Sequence, residues 1–227
     1  MINLIRRLST LIAVGCLALT TAHAQDLAKS WPSKPLRIVV GFPAGSVTDT
    51  VARVMAEQLA KPLGQPVVVE NKPGANGAIG VGEVARATPD GYTLLVTNSS
   101  SITINPQLYK QITYKASDFA PITMIIEAPF ILAVNPEWAQ KNAVNNTQDL
   151  IRYAQAQPEK LTYGSGGQGN MAHLIFVSLS NRVNIKTTHV PYKSGALAGM
   201  AIISGELSAG FDTLSTVPNV QAGKLKA

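Results

Sequence analysis

Leu36-Arg37-Ile38-Val39-Val40 runs straight into Gly41-Phe42-Pro43-Ala44-Gly45-Ser46-Val47-Thr48-Asp49, and then into a helical pattern reaching Leu59. An apolar strand, a Gly/Pro loop and a helix start in succession leave free backbone N–H groups at a sheet's carboxyl edge. That geometry suits an anion. The helix carries Val51, Val54, Met55 and Leu59 at i, i+3, i+4 and i+8, with Thr48 or Asp49 expected as N-cap and Gly64 closing it.

Outward from this stretch, strand and helix alternate. Residues 66–70 are β-branched, Asn71-Lys72-Pro73-Gly74 is a turn, and a helix is expected around 78–87. Asp90-Gly91 turns the chain into a strand over 92–97, with Tyr92 expected in the core, and Asn98-Ser99-Ser100-Ser101 reads as a polar loop. This spacing implies a parallel, doubly wound sheet.

Residues 105–121 read as loop, and Pro129 separates two expected strands, 122–126 and 130–134, forming a crossover between domains. Thr147 is expected to cap a helix bearing Leu150, Ile151 and Ala154. A short strand at 161–163, a glycine loop at 164–170 and a helix at 171–179 follow. A strand at 187–190, a helix at 196–203 and a strand at 207–211 complete a second α/β set. The fold class is therefore α/β, two doubly wound domains around a cleft. The boundaries are a leader at 1–24, a first domain at 25–126 and a second at 127–227.

Strand, glycine loop and helix start thus occur twice, at 36–50 and 161–172. If both face one cleft, two helix dipoles aim at one ligand, each contributing about 0.3–1 kcal/mol when exposed and about 2 kcal/mol when buried. Micromolar binding needs roughly 8 kcal/mol. Direct hydrogen bonds and exclusion of water must supply the difference.

The amino terminus has another purpose. Arg6 and Arg7 precede an apolar run, and Ala22-His23-Ala24 is a small-x-small cleavage site, the pattern of a secretory leader. The run is shorter than a membrane span of about 20 residues. Cys16, the only cysteine, lies inside it in a context that only loosely fits a lipoprotein box, so cleavage after Ala24 is favoured over lipidation. The product expected is a periplasmic chain without thiol, disulfide or cysteine-bound metal. Formal charge is +6, and +4 once Arg6 and Arg7 leave with the leader. With no Lys/Arg run there is no nucleic-acid footprint, while a mild positive field favours small anions.

These residues carry a resemblance. Trp31-Pro32-Ser33-Lys34-Pro35, Phe42-Pro43-Ala44-Gly45 with Asp49, and Val68-Val69-Glu70-Asn71-Lys72-Pro73-Gly74-Ala75 come first. Pro89-Asp90-Gly91-Tyr92-Thr93-Leu94-Leu95, Asn105-Pro106 with Leu108-Tyr109, and Asp118-Phe119-Ala120-Pro121 follow. His189-Val190-Pro191-Tyr192-Lys193 and Ala222-Gly223-Lys224-Leu225 lie in the second half. In this order they resemble the substrate-binding proteins of tripartite tricarboxylate transporters, the Bordetella uptake gene (Bug) family.

The resemblance implies a type II periplasmic binding fold, a "Venus flytrap" that encloses a small carboxylate without chemistry and delivers it to membrane transporter subunits. A monomer without cofactor or metal is expected. The loop of Phe42, Pro43, Ala44, Gly45, Ser46 and Asp49 would hold one carboxylate, partly through water. Thr97, Ser99 and Ser100, with Ser165, Gly166, Gly167 and Gly169, would add donors. Asp212 matches a family cleft position and, with Asp49, would accept from a ligand amine or hydroxyl. The chain departs from the family at Ser46-Val47, where Gly-Pro is usual. Members also continue past position 227 to finish the first domain, so that domain is expected to be incomplete here. Replacing Gly45 by a β-branched residue is expected to weaken binding at little cost in stability.

Other readings of the same residues are poorer. Gly164-Ser165-Gly166-Gly167-Gln168-Gly169 fits G-x-G-x-x-G, but no acid lies between Glu159 and Glu206 to hold a ribose. A hydrolase built on Ser165, His173 or His189, and Asp212 lacks the G-x-S-x-G elbow, since Tyr163 holds the first position. Both histidines read as structural. A ligand sensor that docks on a signalling partner is the alternative from a different class.

Overall fold

β1 (Leu36–Val40) is the central strand of the first sheet, and four of its five residues are buried, as expected for a strand covered on both faces. The computed structural model describes residues 31–227, so the leader and Cys16 lie outside the described residues. β1 pairs in parallel with β2 (Val67–Asn71) on one side and β3 (Thr93–Val96) on the other, giving the order β2-β1-β3. α1 (Val47–Leu63) links β1 to β2, and α2 (Ala78–Ala85) links β2 to β3. Ile38, Val40, Phe42, Ala52, Ala56 and Val96 form the core of this unit. Each large side chain buried there contributes about 1.5–3 kcal/mol.

The second sheet has the order β4-β7-β5-β6. β5 (Thr162–Ser165), α6 (Met171–Arg182), β6 (Thr188–Pro191), α7 (Gly195–Ile203) and β7 (Ala209–Asp212) repeat the β-α-β-α-β path of the first unit, with β5 between β6 and β7. β4 (Ile131–Val134) adds an antiparallel edge to β7. α3 (Asn105–Leu108) lies on the first unit, α4 (Pro136–Lys141) and α5 (Thr147–Ala156) join β4 to β5, and α8 (Val217–Gln221) follows β7. Tyr163 and Phe176 stack at 3.8 Å within a core that includes Leu150, Leu161 and Ala209. Among the described residues no helix is long and apolar enough to cross a membrane.

Several expectations are corrected. Ser46, not Thr48 or Asp49, is the N-cap of α1; its hydroxyl accepts from the Asp49 N–H at 3.2 Å, which leaves Asp49 in the first turn. α1 buries Ala52 and Ala56 while Val54 is exposed, so the face turned to the sheet is centred on the alanines and not on Val54. Asn146 caps α5 in place of Thr147. Tyr92 is half-buried outside the core, where its hydroxyl accepts from the Ser33 N–H at 2.8 Å and its ring packs on Trp31. Beyond Asn98 the chain coils into a π-type turn, Ser100–Ile104. The 122–126 segment forms no strand, and Ile122 is 80% exposed. β-branched residues become a strand only against a partner, and none of the described strands lies alongside.

Candidate functional site

Both sheets reverse their winding beside the central strand. After β1 the chain turns outward to β2 and then crosses back to β3; after β5 it turns to β6 and crosses back to β7. At such a switch point adjacent loops separate and open a crevice at the strands' carboxyl ends. The loops that open there are 41–46 and 97–101 in the first unit, and 165–170 and 212–216 in the second. They carry every residue singled out above except Asp49, which lies in the first turn of α1.

In the first loop, Gly45 has φ +80, and a Cβ there would point into open space. Its N–H donates to Asp49 Oδ2 at 2.9 Å. Asp49 is only 2% exposed, and Arg53 Nε and Asn71 Nδ2 also donate to its carboxylate, at 3.0 and 2.8 Å. Burial pushes the Asp49 carboxyl up, but the donors Arg53, Asn71 and Gly45 outweigh it and hold it below the usual range. Its oxygens thus hold the loop in place. Asn71 Nδ2 also donates to the Phe42 carbonyl at 3.0 Å, while the Phe42 ring is part of the core. The Pro43 carbonyl accepts from the Ser46 N–H at 3.2 Å, and Ala44 is exposed beside Gly45. The N–H groups of Val47 and Thr48, in the first turn of α1, have no partner among the described residues. The positive φ also corrects the expectation for Gly45: a β-branched residue there is strained whatever the space.

Thr97, at the end of β3, has the one buried side-chain polar atom without a partner among the described residues, its Oγ1. A hydroxyl in that state waits for a water or a ligand oxygen. Ser99 is exposed, with its carbonyl taking the Thr103 hydroxyl at 2.7 Å. Ser100 is 1% exposed and its hydroxyl accepts the Met171 N–H at 3.1 Å, reaching the first turn of α6 in the other unit. Two more bonds cross the same gap. Tyr109 OH donates to the Gln168 carbonyl at 2.6 Å, and Asn170 Nδ2 donates to Asn76 Oδ1 at 3.4 Å.

In the second unit, Ser165 is buried, donating to the Gly167 carbonyl at 2.9 Å with His189 Nε2 2.7 Å away. Gly166 lies against the start of α7, and Gly169 presses on Leu108 and Tyr109 of the first unit. The Gly169 N–H donates to His173 Nδ1 at 3.2 Å. Asp212 Oδ2 accepts from Ser215 and Thr216 at 2.8 and 3.1 Å, and its other oxygen sits over Gly195 at the α7 amino terminus. A committed carboxylate at that helix end offsets the dipole there.

Sequence reading missed the asparagines that shape the crevice. Asn76 and Asn105 bond each other reciprocally, Asn76 Nδ2 to Asn105 Oδ1 and Asn105 Nδ2 to the Asn76 carbonyl, both at 3.0 Å. Asn76-Gly77, both at positive φ, was the available signal, a turn dipeptide just before α2. Among the described residues no group of three His, Cys, Asp or Glu is placed to hold a metal. Two surface hollows, one at Asn135 and Lys224 and one at Glu159 and Lys186, lie on other parts of the surface.

Two doubly wound α/β units whose loops meet at their strands' carboxyl ends define a binding protein of the type II periplasmic kind. Residues 51–227 match the model of the tripartite tricarboxylate transporter family receptor, and the chain belongs to that family. It is 36% identical over 226 residues to a UPF0065 protein of Bordetella pertussis, covering 99% of this chain and 67% of that one. Among solved structures it is similar to one described as a periplasmic transporter, with TM-score 0.80, 38% identity and coverage of 87% and 65%. It is also similar to R. palustris Rpa4515 with adipate, at TM-score 0.80, 30% identity and coverage of 86% and 64%. MatC from Rhodopseudomonas palustris with bound malate matches at TM-score 0.78, 29% identity and coverage of 87% and 66%. The chain spans about two thirds of these relatives' length.

Proposed function

We propose that the protein is a periplasmic, monomeric receptor that binds a small carboxylate between its two units and passes it to a tripartite tricarboxylate-type transporter. The observation that carries this is the switch-point crevice of the first unit. The unpaired Val47 and Thr48 N–H groups and the orphaned Thr97 hydroxyl flank it, all of them donors and none of them charged. Such a set suits a carboxylate partly hydrated in a cleft better than a phosphate, which favours Arg or Lys forks. Relatives that hold adipate and malate support the same class of ligand. Ser165 is buried and its hydroxyl is committed to its own loop, which supports binding without catalysis.

The test is a thermal-shift and calorimetric screen of the purified chain against adipate, malate and shorter and longer dicarboxylates. A true ligand at a hundred times its Kd adds about 2.7 kcal/mol of stability, a readily measured rise in Tm. A folded chain that responds to no carboxylate would sink this reading.

A further inference from the structure

The two glycine loops are closed by the same reach from unlike residues. Asp49 is the third residue of α1 and takes the Gly45 N–H; His173 is the third residue of α6 and takes the Gly169 N–H. Each acceptor lies four residues after its donor and each donor just precedes the helix cap. A carboxylate accepts down to strongly acid pH. An imidazole nitrogen accepts only while it lacks a proton.

A backbone hydrogen bond fixes the protonation of His173. Because His173 Nδ1 accepts from Gly169, its proton sits on Nε2. Ser165 Oγ lies 2.7 Å from His189 Nε2 and also bonds within its own loop, with the Gly167 carbonyl at 2.9 Å and the Gly167 N–H at 3.2 Å. The two imidazoles stack at 4.0 Å, and Tyr163 of β5 stacks on His189 at 4.9 Å. Phe176 stacks on Tyr163 and Phe211 packs edge-on against Phe176, while Tyr109 faces Gly169 from the first unit. Glu159 and Lys186 line a hollow with Tyr163 at the other end of the strands. No Asp, Glu, Lys or Arg among the described residues hydrogen-bonds or ion-pairs with either ring. A proton on one ring meets the other ring and no counter-charge.

The geometry points to His173 as a positioning residue that holds the 165–169 loop in its binding shape only while its Nδ1 carries no proton, with His189 stacked against it. Ligand retention is then acid-sensitive through the second unit alone, an inference that rests on this loop touching the carboxylate. A proton on His173 Nδ1 sets two donors against each other at Gly169. The loop loosens there, and with it the Gln168 carbonyl that Tyr109 holds across the gap. Burial pushes both rings down, His189 to about 4, with His173 adding to it. A released loop returns its imidazoles toward about 6.5 and so binds more protons than the closed one. Affinity therefore falls as pH falls through that window.

The experiment compares the wild-type chain with His173→Gln, whose amide oxygen can accept from Gly169 without titrating. Imidazole tautomers and the Gly169 amide are followed by NMR from pH 7.5 to 4.5, and adipate binding is measured by calorimetry at both ends. The expected result is a Gly169 amide that moves with His173 at a shared midpoint and stays flat in His173→Gln. Adipate affinity should fall about ten-fold by pH 5 in the wild type beyond any change in the variant, which controls for adipate's own protonation. A Gly169 amide that is flat in wild type, or titrates equally in the variant, would overturn the inference. So would global loss of dispersion at the same pH, because release would then not be local. If adipate fails to bind at any pH, that counts against adipate as ligand, while the amide titration still decides the role of the histidines.

Discussion

The two halves of the crevice share a path and differ in what locks their loops. In the first unit the lock is a buried carboxylate with three donors on it, Gly45, Arg53 and Asn71. In the second it is a stacked pair of neutral histidines closing on Gly169 and Ser165. The same backbone device can thus be made rigid by charge or conditional by titration, and the chemistry of one residue at the third helical position decides which.

The largest expected effect comes from breaking the charged lock. Asp49→Ala strands the Gly45, Arg53 and Asn71 donors and should cost roughly 2–3 kcal/mol in urea unfolding, with the carboxylate response lost. Asp49→Asn keeps one acceptor for Gly45 but sets an amide against Arg53 and Asn71, and should fall between wild type and Ala. A stability equal to wild type in both would show that the lock is idle.

Next is Gly45→Val. At φ +80 a branched residue should cost about 1–2 kcal/mol and weaken carboxylate binding as well. Unchanged affinity by calorimetry would mean that this loop does not touch the ligand.

The pH dependence sharpens the contrast between the units. The histidines have their values lowered in the fold, so their contribution is present above about 6.5 and fades as pH falls, that of His189 toward about 4. The Asp49 carboxyl is lowered from 3.8, so its contribution persists through that window and is lost only at more acid pH, below its unfolded value. Hydrogen exchange at pH 5 should therefore show amides of 165–173 opening before those of 41–49. The reverse order would contradict the assignment.

The smallest effect is expected at the seam. Tyr109→Phe removes the donor to Gln168 and should cost about 1 kcal/mol or less. It should appear in stopped flow as faster ligand dissociation rather than slower association. An unchanged off-rate would place the seam outside the binding cycle.

Much of the frame was legible in residues 36–97, where β-branched runs, turn dipeptides and a helical period follow one another and each element is set by neighbours within a few positions. The segment at 122–126 misled because strand propensity is realised only by a partner, and no partner is encoded locally. Val54 misled for a related reason: periodicity marks an apolar stripe, but how the helix is rotated against the sheet decided that Ala52 and Ala56 are buried and Val54 is exposed. At the site, the glycine loops and Asp49 were visible as types. Yet Asn71, His189 and Met171, which bond Asp49, Ser165 and Ser100, lie 22, 24 and 71 residues away along the chain.

By itself, then, the sequence determined two strand–glycine loop–helix devices and their α/β setting, because those follow from local backbone chemistry. Only the tertiary structure decided that the loop hydroxyls and carboxylates mostly hold one another. It alone set Thr97 and the first turn of α1 aside as unpaired donors and brought His173 onto His189. Those outcomes depend on which distant groups share a lone pair, and a lone pair is spent only when the chain has folded.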